Sequence, residues 1–159
     1  DIAQLCFAQA VKFVEHNADS PDPEIQAQIA VLQHLLFRFM NNDTRGYIYT
    51  YELKQQLSNT DLRNLSDQAF RMRIIGKLRD KGVVIASSQK GYKIPSKQSE
   101  LYDFINHDAK IVIPMLARLK KCRDLIKLGT VNGLDLLDHP EYEQLRVYFD
   151  SLPVTEEDN

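Results

Sequence analysis

Residues 66–82 constrain the fold of this chain more than any other stretch, because two patterns are superposed on them. Phe70, Ile74 and Leu78 recur at every fourth position with Ile75 on the flank, so one stripe of a helix has to face a core. Ser66, just ahead of that run, offers its hydroxyl to a backbone N–H, and Asp67 puts a negative charge in the first turn. Both features predict that the helix starts there. Gly82 after Lys81 predicts its end. At about 100° per residue, the face opposite the stripe carries Gln68, Met72, Arg73, Gly76 and Arg79, with Arg71 and Lys77 on its shoulders. One side of this helix is apolar and the other is basic.

The neighbouring segments are short. Val83, Val84, Ile85 and Ala86 have strand composition, Ser87 to Gly91 have turn composition, and Tyr92, Lys93 and Ile94 run into Pro95, which has no N–H to continue a ladder. This predicts a hairpin with Lys90 near its tip. Upstream, residues 47–49 read as a short strand, Thr50 as the cap of a helix carrying Leu53 and Leu57, and residues 58–65 as a turn. That turn is longer than the tight one of a standard helix-turn-helix. Strand, short helix, turn, basic helix and hairpin, in that order, are the signature of a winged helix-turn-helix.

The run LRDKGVVIASSQKGYKIP, from Leu78 to Pro95, resembles the recognition helix and wing of prokaryotic winged-helix DNA-binding domains. The N-terminal domain of the biotin operon repressor and phage-type helix-turn-helix regulators are the nearest comparisons. The resemblance implies three helices with a small wing, and binding of double-stranded DNA through the second helix of the motif. On that reading the DNA contacts come from Arg63, Gln68, Arg71, Arg73, Lys77, Lys90 and Lys93. Arginine can pair bidentately with guanine edges, and lysine with phosphates. The chain would be a transcriptional regulator, or the DNA-recognition part of a larger prokaryotic protein. The alternative is a winged-helix protein–protein adaptor or regulatory domain that does not bind DNA.

A net charge of −2 argues against a nucleic-acid partner, but the charge is unevenly spread and its distribution matters more than the sum. From Leu62 to Lys93 the basic residues are Arg63, Arg71, Arg73, Lys77, Arg79, Lys81, Lys90 and Lys93, against Asp67 and Asp80. From Asn132 onward Asp135, Asp138, Glu141, Glu143, Asp150, Glu156, Glu157 and Asp158 face Arg146 alone. A polarised molecule is compatible with DNA on one side, while its acidic end competes for basic surface on its own chain or a partner.

The rest of the chain reads as helical extensions, making the fold class mainly α with a small β-hairpin: a winged helix-turn-helix with additional N- and C-terminal helices. An N-terminal helix carries Leu5, Cys6, Ala10, Phe13 and Val14, giving a segment 1–20. The chain begins at Asp1 without a Met, which reads as an excised piece of a longer protein. The winged domain, 21–95, opens with a helix capped by Asp22–Pro23 and lined by Ile25, Ile29, Leu32, Leu36, Phe39 and Met40, followed by a turn at 42–46. A helical extension, 96–152, opens with Ser96 as a cap. It carries the heptad-like seam Leu101, Ile105, Val112, Met115, Leu119, Cys122 and Ile126, with Asp108 as the odd member. Pro114 predicts a kink, or two helices meeting near residues 108–111. Residues 129–133 close that helix, and His139–Pro140 opens a last one bearing Tyr142, Leu145, Tyr148, Phe149 and Leu152. Residues 153–159 read as a mobile tail. The seam predicts a homodimer through the region after Pro95; the competing expectation is that the first and last helices cover it.

Other classes find little support. Cys6 and Cys122 stand far apart in helical pattern and read as two buried, reduced thiols rather than a disulfide or metal site. His16, His34, His107 and His139 are scattered, and there is no Gly-rich phosphate loop or nucleophile with a base near it, so the expectation is no enzyme, no catalytic residue, no metal and no cofactor. Tyr47, Tyr49, Tyr51 and Tyr92 read as rings covering the small sheet, with a single-strand stacking platform as the second option. With no bilayer-length apolar run and no signal-peptide pattern, the expected setting is cytoplasmic.

Overall fold

Aspartate side chains cap the first two helices, the one at Asp22 as expected from the sequence. Asp1 Oδ1 accepts the Ala3 N–H at 2.9 Å and opens α1, Ile2–Asn17. Asp22 Oδ1 accepts the Glu24 N–H at 2.9 Å, with Pro23 at the start, and opens α2, Pro23–Met40. The structure is a computed structural model that describes residues 1–42 and 46–153, apart from the side chains at 103, 104 and 106–108. Most of the expected turn at 42–46, the tail from 154 onward and the Asp108 side chain lie outside the described residues.

Next come α3, Thr50–Lys54, and α4, Thr60–Arg63. Thr50 is not the cap of α3: Tyr49 holds that position without a side-chain bond, and α3 ends before Leu57, which is nonetheless buried. Nor is the stretch 58–65 a plain turn. Asn59 Oδ1 accepts the Leu62 N–H at 3.1 Å, and burial of Leu62 makes the extra helical turn worth forming.

The basic helix starts as expected, with Ser66 Oγ accepting the Ala69 N–H at 3.1 Å. It comprises α5, Asp67–Phe70, a π-helical turn, Arg71–Ile75, and α6, Gly76–Asp80. The sequence predicts an unbroken α-helix here; the wider middle turn is the difference. It has a packing reason. A bond spanning five residues places Phe70 in line with Ile75, so Phe70, Ile74, Ile75 and Leu78 are all fully buried, and the fourth-residue stripe is not the only one inside. The Gly76 N–H donates to the Arg71 carbonyl, and a Cβ on Gly76 would stand 3.2 Å from that oxygen. Glycine is the residue that fits this turn without displacing it.

The hairpin is β1, Ala86–Ser88, and β2, Gly91–Lys93, antiparallel with Ala86 opposite Lys93 and Ser88 opposite Gly91. Its first strand lies later than the expected 83–86. The Arg79 guanidinium donates twice to the Ile85 carbonyl, at 2.8 and 3.2 Å, and the Val83 N–H goes to the Leu78 carbonyl at 3.1 Å, so this backbone is already engaged. Val83 and Ile85 are buried without being in a ladder. The expected strand 47–49 is a single bridge, in which Ile48 and Tyr92 exchange N–H···O bonds of 2.7 and 2.9 Å.

Two compact units divide the chain, Asp1–His107 and Asp108–Asn159. In the first, Cys6, Ala10 and Phe13 of α1, Val31, Leu32 and Leu35 of α2, and Ile48, Leu53, Phe70, Ile74, Leu78, Ile85 and Ile94 share one core. Burial of such side chains is worth about 1.5–3 kcal/mol each.

The last long helix, α7, spans Gln98–Gly129, and it is helical through Pro114. Of the two expectations, two helices meeting near 108–111 is therefore corrected: the run is one helix with Pro114 inside it. A proline inside a helix costs about 3 kcal/mol, but turns on both sides keep their own bonds and propagation adds one per residue. At its start Glu100, rather than a Ser96 hydroxyl, does the capping: its carboxylate accepts the Ser96 N–H at 2.7 Å and the Lys97 N–H at 3.3 Å. In the second unit a 3-10 turn, Pro140–Tyr142, leads into α8, Glu143–Asp150, and Phe149 is buried. There Arg123, 3% exposed, forks onto Asp135 at 2.8 and 2.9 Å and reaches Asp150 at 2.9 Å. The bidentate contact holds the Asp135 carboxyl far below the usual carboxylate range, despite the opposing effect of burial. Among the described residues no helix is long and apolar enough to cross a membrane.

Gly91 generates the sharpest prediction about this fold. It has φ +112°, and a Cβ there would lie 1.9 Å from the Ile48 carbonyl oxygen, inside the bridge itself. Gly91→Ala should cost roughly 2 kcal/mol or more in urea unfolding and abolish the Ile48–Tyr92 amide protection. Unchanged stability would show that the bridge does not hold the hairpin.

Candidate functional site

The fold sorts the basic residues of 62–93 into two sets. Those in the first set have found partners inside the unit. Arg63 donates to the Leu57 carbonyl from Nε and Nη2, at 2.9 and 2.5 Å, which ties the end of α4 to the turn before it. Lys93 Nζ lies 2.6 Å from Glu100 Oε1 and 5.7 Å from the centre of the Tyr47 ring. Burial pushes the Glu100 carboxyl up, but Lys93 and the Ser96 and Lys97 N–H groups outweigh it, so that its pKa is lowered overall.

Arg73 is held at two points by α2. Its Nη2 is 3.1 Å from Glu24 Oε2, and its backbone carbonyl accepts 3.1 Å from the buried Gln28 Nε2. Glu24 and Gln28 are one turn apart on α2, so one helix face grips both the side chain and the backbone of the π-helical turn. The hydrogen bond to Glu24, with its charge, raises the Arg73 pKa.

The second set faces water. Gln68, Arg71, Met72 and Lys77 are exposed on the helix, and Lys90 is exposed in the two-residue turn between β1 and β2. Arg71, Lys77 and Lys90 have no acidic partner among the described residues. Asp67, the acid nearest to Arg71 in sequence, is bound by Lys54 at 2.8 Å. Of the seven residues expected from the sequence to form the site, Gln68, Arg71, Lys77 and Lys90 remain free of such ties, while Arg63, Arg73 and Lys93 are engaged.

The tyrosines divide in a way the sequence does not predict. Tyr92 is buried and packs on Phe70, with ring centroids 6.3 Å apart. Tyr49 and Tyr51 do not cover the sheet: they are 50% and 65% exposed and stack on each other, with centroids 5.7 Å apart and planes 17° apart. The single bridge at Ile48 leaves the chain free to turn into α3 at Tyr49, so both rings are carried outward instead of along a strand.

The cysteines differ as well. Cys6 is buried, and burial followed by the charge of Glu100 pushes its thiol up, so it stays protonated. Cys122 is exposed, contrary to expectation, because it lies on a face of α7 that its own unit leaves open. Among the described residues there is no group of three or more His, Cys, Asp or Glu placed to hold a metal ion. Comparison with protein-family models, with curated proteins and with solved structures finds no significant match to this chain.

Proposed function

We propose that residues 21–95 form a winged helix-turn-helix module that binds double-stranded DNA, with the helical run 67–80 as the reading element and the hairpin as the wing. The chain would act as a transcriptional regulator or as the DNA-recognition part of a larger prokaryotic protein. One observation carries this reading: Arg71, Lys77 and Lys90 lie exposed, with no acidic partner among the described residues, on a helix and an adjoining hairpin whose opposite faces are buried. Unneutralised charge on two adjoining elements is what a phosphate backbone attracts. The π-helical turn supports it further, since such turns frequently accompany functional sites. The adaptor reading draws on a different observation, that Arg63, Arg73 and Lys93 are spent on internal partners.

Titration with random-sequence duplex DNA across a salt series separates the two. A DNA binder loses affinity steeply as salt rises, because each neutralised phosphate releases counterions. Arg71→Glu should weaken binding more than Lys12→Glu on α1, and neutralising Arg71 should reduce the salt slope by about one. Arg71 is the better probe than Arg73, where a glutamate would also meet Glu24. Equal effects at positions 71 and 12, in folded variants, would remove the site and favour the adaptor.

We also propose that the region after Pro95 forms a homodimer. Val112, Met115 and Leu119 recur at heptad spacing on α7 and are each about half exposed. A symmetric pair would present two reading helices to half-sites about 34–36 Å apart. Sedimentation equilibrium should give the mass of two chains; a monomer mass at every concentration would contradict it.

A further inference from the structure

Between the start of α3, the first turn of the basic helix and the hairpin turn lies a cleft of about 310 Å³. Tyr49, Thr50, Tyr51, Arg71, Ser88 and Gln89 line it, with Asp67 also at its wall. Its size is at the lower end of the roughly 300–1,000 Å³ of small-ligand sites, so it suits a single nucleotide and not a polymer. Its lining combines two exposed aromatic rings, one guanidinium, and hydroxyl and amide groups that both donate and accept. The carboxylate of Asp67 is partnered by Lys54 at 2.8 Å, which offsets its repulsion of a phosphate.

We propose that this cleft takes one unpaired nucleobase at the end of a duplex, so that the chain prefers DNA with a single-stranded extension to blunt DNA. The proposal rests on the DNA reading above and adds a substrate class to it. A base inside a duplex is covered on both faces by its neighbours and cannot offer a π-face to a side chain; an unpaired base can. Tyr49 and Tyr51, stacked on each other and still 50% and 65% exposed, present ring surface that their own unit leaves uncovered. Arg71 lies on both surfaces, lining the cleft and belonging to the exposed basic face of the helix. A duplex held by that face would therefore place its terminus beside the rings. Thr50, Ser88 and Gln89 can satisfy several base edges, so the preference is for an unpaired base of any identity.

The test compares a blunt hairpin duplex with the same duplex carrying a short single-stranded extension, 3′ or 5′, by fluorescence anisotropy with the full chain. An extension of one polarity should bind about 5- to 150-fold tighter, the range of one base–aromatic stack. The Tyr49→Ala/Tyr51→Ala double variant should lose that preference while retaining its affinity for blunt duplex. The Tyr49→Phe/Tyr51→Phe variant, which keeps the rings, should retain the preference. Equal affinity for blunt and extended DNA in the native chain would overturn the proposal and leave the duplex reading intact. A preference that survives removal of both rings, or is lost in the phenylalanine variant, would also overturn it. Absence of binding to any of the DNAs would overturn both readings.

Discussion

The amide of Gln28, buried between α2 and the basic helix, donates to the Arg73 carbonyl at 3.1 Å, and much of the first unit depends on that contact. A buried amide left unpaired costs about 1–3 kcal/mol, so the register of the two helices is restricted to one that brings these groups together. Glu24, one turn earlier, adds a charged hydrogen bond to the same residue's side chain. Around this double grip the π-helical turn places Phe70, Ile74, Ile75 and Leu78 in the core. The opposite face is thereby committed to solvent, with Gln68, Arg71, Met72 and Lys77 on it.

Electrostatics follow from the same geometry. Each basic residue that meets the core or an acid is tied down: Arg63 by a carbonyl, Arg73 by Glu24, Lys93 by Glu100. What remains exposed, Arg71 and Lys77 on the helix and Lys90 on the hairpin, is a smaller basic set than a count of lysines and arginines suggests. The hairpin owes its position to the Ile48–Tyr92 bridge, where Gly91 lets two backbones approach closer than any side chain would allow. The turn that carries Lys90 is held with it, and Ser88 and Gln89 of the hairpin line the cleft that Tyr49 and Tyr51 share. The second unit is organised differently, around the Arg123 guanidinium and its two aspartates.

The sequence made local features legible and distant ones not. The caps at Asp22 and Ser66, the stripe Phe70–Ile74–Leu78 and the glycine stop at Gly82 are set by residues within a few positions of each other, and the structure has them. The partner of Arg73 is 49 residues away, and nothing in the helical pattern around Arg73 points to Glu24. Without that contact a helical wheel leaves Arg73 on the open face. The shift of β1 has the same origin: Val83, Val84 and Ile85 have strand composition, but Arg79 claims the Ile85 carbonyl. Pro114 shows the converse: a local signal for two separate helices is outweighed by the helical turns on both sides of it. The exposed tyrosine pair was hidden because strand-forming residues around a single bridge look like those of a longer strand.

The central claim is that the exposed face of the 67–80 helix and the turn at Lys90 are one binding surface for duplex DNA. Amide chemical-shift mapping of the isotope-labelled chain, titrated with random-sequence duplex, tests it most directly. The account predicts the largest changes at residues 67–77 and 88–91, with α1 and α8 unaffected. Changes confined to the second unit, or none in the 67–77 helix at a DNA concentration that saturates binding, would contradict it.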